Sequence, residues 1–194
     1  ALTNAAARPD SDVRLSAFVD TATALANKIN KIADDVQSAR TDAERTIAND
    51  VSRLNSALER VASLNKQIAA LSAQGKDASS QMDARQAAID SISEIVPLKQ
   101  VPRDNGQVAL FTTGGGILLD GTKPASIEFT PAGPISPGMS LAAGTLSNLR
   151  FNGKELTVSQ QATMFAKGTI SASFAVRDEI APAYQTQIDA LARD

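Results

Sequence analysis

The chain contains no cysteine and no histidine. The first absence removes disulfides and the thiolate nucleophile, and the redox compartment leaves no trace in the composition. The second removes the commonest zinc, copper and haem ligand, together with the side chain that titrates near neutral pH. A hydroxyl nucleophile would then depend on Lys, Asp, Glu or an amine for activation, and no Ser-x-x-Lys motif stands in a convincing context. Basic runs are missing too. The 19 Lys and Arg nearly balance 21 Asp and Glu, so nothing in the charge attracts nucleic acid or anionic lipid. No apolar stretch approaches the ~20 residues of a membrane-spanning helix. Ala1 to Arg8 lacks the charged start and apolar run of a secretory signal.

Glycine and proline are absent between Asp10 and Gln74. Within that stretch apolar residues recur at Leu15, Phe18, Ala22, Leu25, Ile29, Ile32 and Val36, steps of three and four that keep one helical face apolar. The seam thins from Gln37 to Thr46, where only Ala39 and Ala43 are placed to face a partner. It resumes at Ile47, Val51, Leu54, Leu58, Val61, Leu64, Ile68 and Leu71. The three-residue steps through Leu58, Val61 and Leu64 form a stammer, which a bundle tolerates better than a two-stranded coil. Pro9-Asp10-Ser11-Asp12 supplies capping and acidic side chains for the first turn. The expectation is one helix of about 60 residues, roughly 90 Å long. Two helices meeting near Ser38 to Asp42 are the alternative that the polar stretch permits. A helix of that length has more seam than short partners cover, so neighbouring subunits are expected on part of it.

Gly75 and the polar residues Lys76 to Ser80 end this helix, and a second amphipathic segment with Met82, Ile89, Ile92, Ile95 and Val96 runs to Pro97. The short connection predicts an antiparallel helical hairpin. Beyond Pro97, Asn105-Gly106, Asp120-Gly121 and Asn152-Gly153 each separate short apolar runs, as hairpin turns do. The predicted strands are Leu98 to Val101, Gln107 to Thr112, Gly116 to Leu119, Ser126 to Phe129, Leu146 to Phe151 and Lys154 to Val158. Three Pro and several Gly between Thr130 and Gly144 predict an irregular or mobile loop. Helical spacing returns from Ser171 through Phe174, Val176, Ile180, Tyr184, Ile188 and Leu191, with a kink expected at Pro182. The fold class is α+β: a long-helix bundle over 1–97 and 172–194 with an antiparallel β domain, 98–171, inserted.

Three stretches carry a resemblance to a known family. Leu64-Asn65-Lys66-Gln67-Ile68 resembles a Leu-Asn-x-Gln-Ile segment, and Met82-Asp83-Ala84-Arg85-Gln86 with Ile92-Ser93-Glu94-Ile95-Val96 resembles a Leu-Asp-Gln-Arg-Asp helix with its Leu-Ser-x-Leu-Val ending. Arg177-Asp178-Glu179-Ile180-Ala181-Pro182-Ala183-Tyr184 resembles Phe-Arg-Asp-x-x-Leu-Pro-x-Tyr, with Val176 where Phe is common. Asp104-Asn105-Gly106, Gly114 to Gly116 and Leu118-Leu119-Asp120-Gly121 match in style. In this order and spacing they are similar to the flagellar hook-associated protein 1 family, the junction proteins between bacterial hook and filament. The resemblance implies an extracellular axial protein, exported without a cleaved signal peptide. It implies contacts with identical subunits in a ring, with hook protein, and with the next hook-associated or filament protein. It also implies that the terminal polymerisation segments are missing from both ends, which agrees with a chain that begins without Met and enters a helix almost at once. Such a piece is expected to be a monomer in isolation.

Other groups invite sharper readings. Gly114-Gly115-Gly116 has the look of a phosphate cradle, yet no Gly-Lys-Ser/Thr and no helix follow, so a flexible turn or bulge is the expectation. Asp83, Asp90 and Glu94 share a helical face, where solvation or a salt bridge to Arg85 is expected over cation binding or acid/base work. Asp104, Asp120, Asp178 and Glu179 come from separate segments with nothing to show convergence. No catalytic, cofactor-binding or metal residue is assigned, and no cofactor is expected. The reading is a structural adaptor, not an enzyme, that binds neither nucleic acid nor membrane. The alternative is a secreted binding or adhesion module using the β domain and its Gly/Pro loop.

Overall fold

The structure, a computed structural model, describes residues 11–193. Helix α1 runs Asp12–Ala73, 62 residues without a break, and the polar stretch Gln37 to Thr46 stays helical within it. Pro9 and Asp10 of the expected cap, and the segment Ala1 to Arg8, lie outside the described residues. Ser11 occupies the N-cap without a side-chain bond. At the other end Gly75 takes φ +64°, and the Gly75 and Lys76 N–H groups return to Ser72 and Leu71 carbonyls at 3.0 Å, a Schellman closure.

Asp77 opens helix α2, Ser79–Ile95. Its carboxylate accepts from the Ser79 hydroxyl at 2.6 Å and the Ser79 N–H at 3.1 Å, bonds that hold its pKa below the usual carboxylate range. Arg85 reaches back to Asn65, and Glu94 meets Arg53, so α2 descends antiparallel along α1 as the hairpin spacing predicts.

Strands β1 (Leu98–Pro102), β2 (Val108–Thr112), β3 (Ile117–Asp120) and β4 (Lys123–Pro124) form an antiparallel meander in that order. A second sheet joins β5 (Ile127–Glu128), β6 (Arg150–Phe151) and β7 (Lys154–Glu155). All three predicted turns sit where Asn-Gly or Asp-Gly stands. Asn152 and Gly153, at φ 49° and 77°, make the tight turn pairing Phe151 with Lys154. Two asparagines of α1 hydrogen-bond strand backbone in both directions. Asn55 donates to the Ile127 carbonyl and accepts from its N–H, and Asn65 does the same at Val108.

Three strand predictions shorten to two residues, and of Ser126 to Phe129 only Ile127–Glu128 is strand. Of Leu146 to Phe151 only Arg150–Phe151 is strand. Of Lys154 to Val158 only Lys154–Glu155 is, because Thr157 begins a capping box with Gln160 and opens helix α3, Val158–Met164. The Thr-x-x-Gln pattern is a helix start, and it outweighs the β-propensity of Val158. Helix α4 begins at Gly168 (Gly168–Ala175), three residues before the spacing indicated. It continues through a π-helical turn, Val176–Ile180, into α5, Ala181–Arg193.

One buried cluster joins these parts. Ile47, Leu54, Leu58 and Val61 of α1 meet Ile89, Ile92 and Ile95 of α2, Leu110 and Leu118 of the first sheet, and Phe165, Ile170 and Phe174 of the later helices. The triple glycine serves that packing. A Cβ on Gly114 would collide with the Thr163 backbone at the end of α3, and one on Gly116 with the Met164 side chain at 2.7 Å. Gly114→Ala is therefore expected to destabilise by about 1–3 kcal/mol. Gly138→Ala, with open space around it, should leave the thermal midpoint unchanged in the same scan.

Candidate functional site: polar clamps and an uncovered helix face

The stretch of α1 poor in apolar residues is where the chain is tied together. Arg40 and Glu44 fall in phase between Val36 and Ile47, and both are buried. Facing them is Arg177, 0% exposed. Its guanidinium donates to Glu44 Oε2 at 2.6 Å, to both Asp178 oxygens at 2.8 Å and to the Ser147 carbonyl at 3.1 Å. It lies over the Phe174 ring at 4.7 Å and the Phe129 ring at 5.8 Å. Burial by itself lowers the Arg177 pKa; the hydrogen bonds and charges of Asp178 and Glu44 outweigh it, and the net shift is upward.

The other Glu44 oxygen accepts from the Ala132 N–H at 2.8 Å, and Thr41 Oγ1 accepts from the Ile135 N–H at 3.0 Å. Arg40 donates to the Met139 carbonyl at 2.6 Å and the Ser136 carbonyl at 3.3 Å. The 130–144 segment is irregular as predicted, but α1 holds it in place. Arg40 Nε also donates to the Arg177 carbonyl at 3.0 Å, which Pro182 helps to free. Ala181 N–H bonds the Val176 carbonyl, an i→i−5 register in which residue 182 would take the Arg177 carbonyl. Proline has no N–H to offer, so the disturbance expected at Pro182 appears just before it as the π turn.

A second clamp sits further along α1. Asn65 is fully buried. Its amide donates to the Val108 and Gly121 carbonyls at 2.8 and 2.6 Å, and its oxygen accepts from the Val108 N–H at 3.2 Å and Arg85 Nη1 at 2.8 Å. The same Arg85 nitrogen donates to the Gly106 carbonyl at 2.7 Å. Two of the three stretches that carry the family resemblance thus converge with the Gly106 and Gly121 turns on one cluster.

The sequence left Arg85 as a partner for the carboxylates of α2, and that pairing does not form, because Arg85 turns toward Asn65 and Gly106. Asp83, Asp90 and Glu94 are exposed. Asp90 accepts from Gln86, and Glu94 meets Arg53 at 3.5 Å. Asp104, Asp120, Asp178 and Glu179 do not converge: Asp120 pairs with Arg103, while Asp178 joins Arg177. Among the described residues no group of three or more Asp or Glu is placed to hold a metal ion. Arg40, Glu44 and Asn65 carry no motif that marks them as clamps, although a polar residue in phase with an apolar repeat is a visible signal of a buried polar contact.

The N-terminal half of α1 presents the opposite picture. Along the apolar seam Leu25 is 56% exposed, and Leu15 and Ile32 are exposed as well, while Phe18 and Ile29 are half-buried. Helix α5 packs on α1, where Gln185 bonds Gln37 at 3.0 Å, and its own Tyr184 and Leu191 are exposed. An apolar stripe on a rigid helix, left open beyond its braces, is a surface made for other helices.

A long helix stapled by buried polar clamps to a hairpin partner, two small sheets and a returning helix, with an open apolar face, defines a structural packing domain. The chain belongs to the FlgK family: the family model for the flagellar hook-associated protein FlgK helical domain matches residues 1–194. The fold is similar to that of the flagellar hook junction protein FlgK from Burkholderia pseudomallei, with a TM-score of 0.76 at 20% sequence identity. That likeness covers 98% of this chain and 33% of the solved one, so the chain spans about a third of the length of the protein it matches. Comparison with curated proteins found no match.

Proposed function

We infer that this chain is the helical portion of a structural adaptor in the bacterial flagellar axis, joining hook to filament by side-by-side helix packing. Its partners are identical subunits in a ring, hook protein on one side and the next hook-associated or filament protein on the other. It works outside the cell after export without a cleaved signal peptide, takes no cofactor and catalyses no reaction. Residues 1–97 with 172–194 supply the packing surface, and 98–171, two small sheets with α3 and the start of α4, brace it. The observation that carries this reading is the apolar seam of α1 between Leu15 and Ile32, where Leu15, Leu25 and Ile32 are exposed.

Deleting the gene is expected to leave hooks without filaments, seen by electron microscopy; normal filaments would refute the adaptor role. A finer test is Leu15→Glu with Leu25→Glu, both on the seam. Both sites are exposed, so the stability of the isolated chain should change by about 0.5 kcal/mol or less. In a complemented strain the same pair should abolish swimming, and full motility would sink the packing assignment. The isolated chain should sediment as a monomer at micromolar concentration. The adhesion reading drew on a free Gly/Pro loop, and that loop is occupied in holding α1 through Arg40, Thr41 and Glu44.

A further inference from the structure

The turns Asn105-Gly106, Asp120-Gly121 and Asn152-Gly153 all lie at the surface, but the structure restrains them differently. Asn105 stands between β1 and β2 at φ 55°, exposed, and its side-chain amide bonds nothing among the described residues. We propose that Asn105 is a site of spontaneous deamidation and isoaspartate formation, and that the product loosens the Asn65–Arg85 clamp beside it. This goes beyond axial packing and stands or falls independently of it.

The chemistry needs only water. A glycine after asparagine carries no Cβ to shield its backbone nitrogen or to restrict the turn. The Gly106 nitrogen, giving up its proton, attacks Cγ of Asn105; the Cγ–Nδ2 bond breaks, and the amide nitrogen leaves as ammonia with that proton. Water then opens the five-membered imide at either carbonyl. One opening gives aspartate, the other isoaspartate, in which the main chain runs through Cγ; nothing is oxidised or reduced. Ring closure demands that ψ of Asn105 rotate far from its 32°, so the turn must open first. At Asn105 that opening breaks no side-chain bond, and the Gln107 N–H reaches the Asp104 carbonyl only at 3.3 Å. Asn152 starts from a similar φ of 49°, but its Oδ1 accepts from the Ser126 N–H at 2.9 Å and its own N–H donates to the Ser126 carbonyl at 2.8 Å. Both bonds tie it to the neighbouring strand. Asp120 has a carboxylate held by Arg103 Nε at 3.0 Å and no ammonia to expel. The consequence follows from what adjoins Asn105. The Gly106 carbonyl takes Arg85 Nη1 at 2.7 Å, and Val108 exchanges two bonds with Asn65. An extra main-chain carbon at position 105 displaces these partners from one another.

The test is incubation of the whole chain in mildly alkaline buffer, native and in urea, followed by digestion and peptide mass spectrometry. In the native chain Asn105 should convert at least about tenfold faster than Asn152, the rate equivalent of the hydrogen bonds that Asn152 must first give up. In urea the two should convert at the same rate, since each precedes glycine. Asn105→Gly, which suits the positive φ, should leave a folded chain with no conversion at this turn. The isoaspartate form, separated from the fresh chain by its added charge, should exchange the Val108 amide several-fold faster. Equal rates at the two turns in the native chain, or faster conversion at Asn152, would overturn the proposal. A gap that persists in urea would assign the difference to local sequence and overturn it too, and unchanged Val108 exchange in the isoaspartate form would overturn the link to the clamp.

Discussion

Replacing Arg177 by Met should destabilise the chain by about 3–5 kcal/mol, read as a fall in the urea midpoint at unchanged slope. Arg177 is fully buried, and its loss leaves the carboxylate of Glu44 inside the protein with one oxygen bonded to Ala132 and the other facing nothing. The Ser147 carbonyl loses a donor at the same time. The magnitude comes from the stranded charge rather than from the worth of the pair, since a buried ion pair is close to neutral against an apolar replacement. The double variant Arg177→Met with Glu44→Gln should accordingly be more stable than Arg177→Met alone. If the double variant is worse by the full sum of the single losses, the two sites are uncoupled and the clamp is misread. The exposed pair Lys31–Asp35 is the control, and its removal should leave the midpoint in place.

Asn65→Ala should cost about 3–4 kcal/mol, because it leaves the buried Val108 N–H and carbonyl and the Gly121 carbonyl without their partner. Asn65→Asp separates this cause from lost volume. It keeps the shape but sets an oxygen against two carbonyls, so it should be at least as damaging as Ala. Amide exchange at Val108 should accelerate in both variants. A neutral Asn65→Asp would show that the site is held by packing alone.

These two residues also mark the limit of what was legible beforehand. The heptad steps, the missing Gly and Pro, and the Asn-Gly turns identify α1, α2 and the hairpins, because helix and turn geometry are local consequences of spacing and side-chain shape. The box at Thr157 and Gln160 is equally local, but the β-propensity of Val158 masks it. Arg40, Glu44, Asn65 and Arg177 were hidden for another reason. A polar residue on an apolar stripe reads as a gap until its partner is known, and the partners lie up to 137 residues away, as with Arg40 and the Arg177 carbonyl. The weak stretch of the seam from Gln37 to Thr46 proves to be the place where α1 holds both the 130–144 segment and the returning helix.

By itself, then, the sequence determined a long amphipathic helical stretch, a hairpin partner, a set of small turns and the character of each face. Only the tertiary structure decided which half of that helix is covered. Every residue of α1 has the same local geometry, so periodicity cannot distinguish Leu54, buried in the core, from Leu25, open to solvent. That distinction depends on where α2, the sheets and α4 to α5 come to rest, and long-range contacts set it.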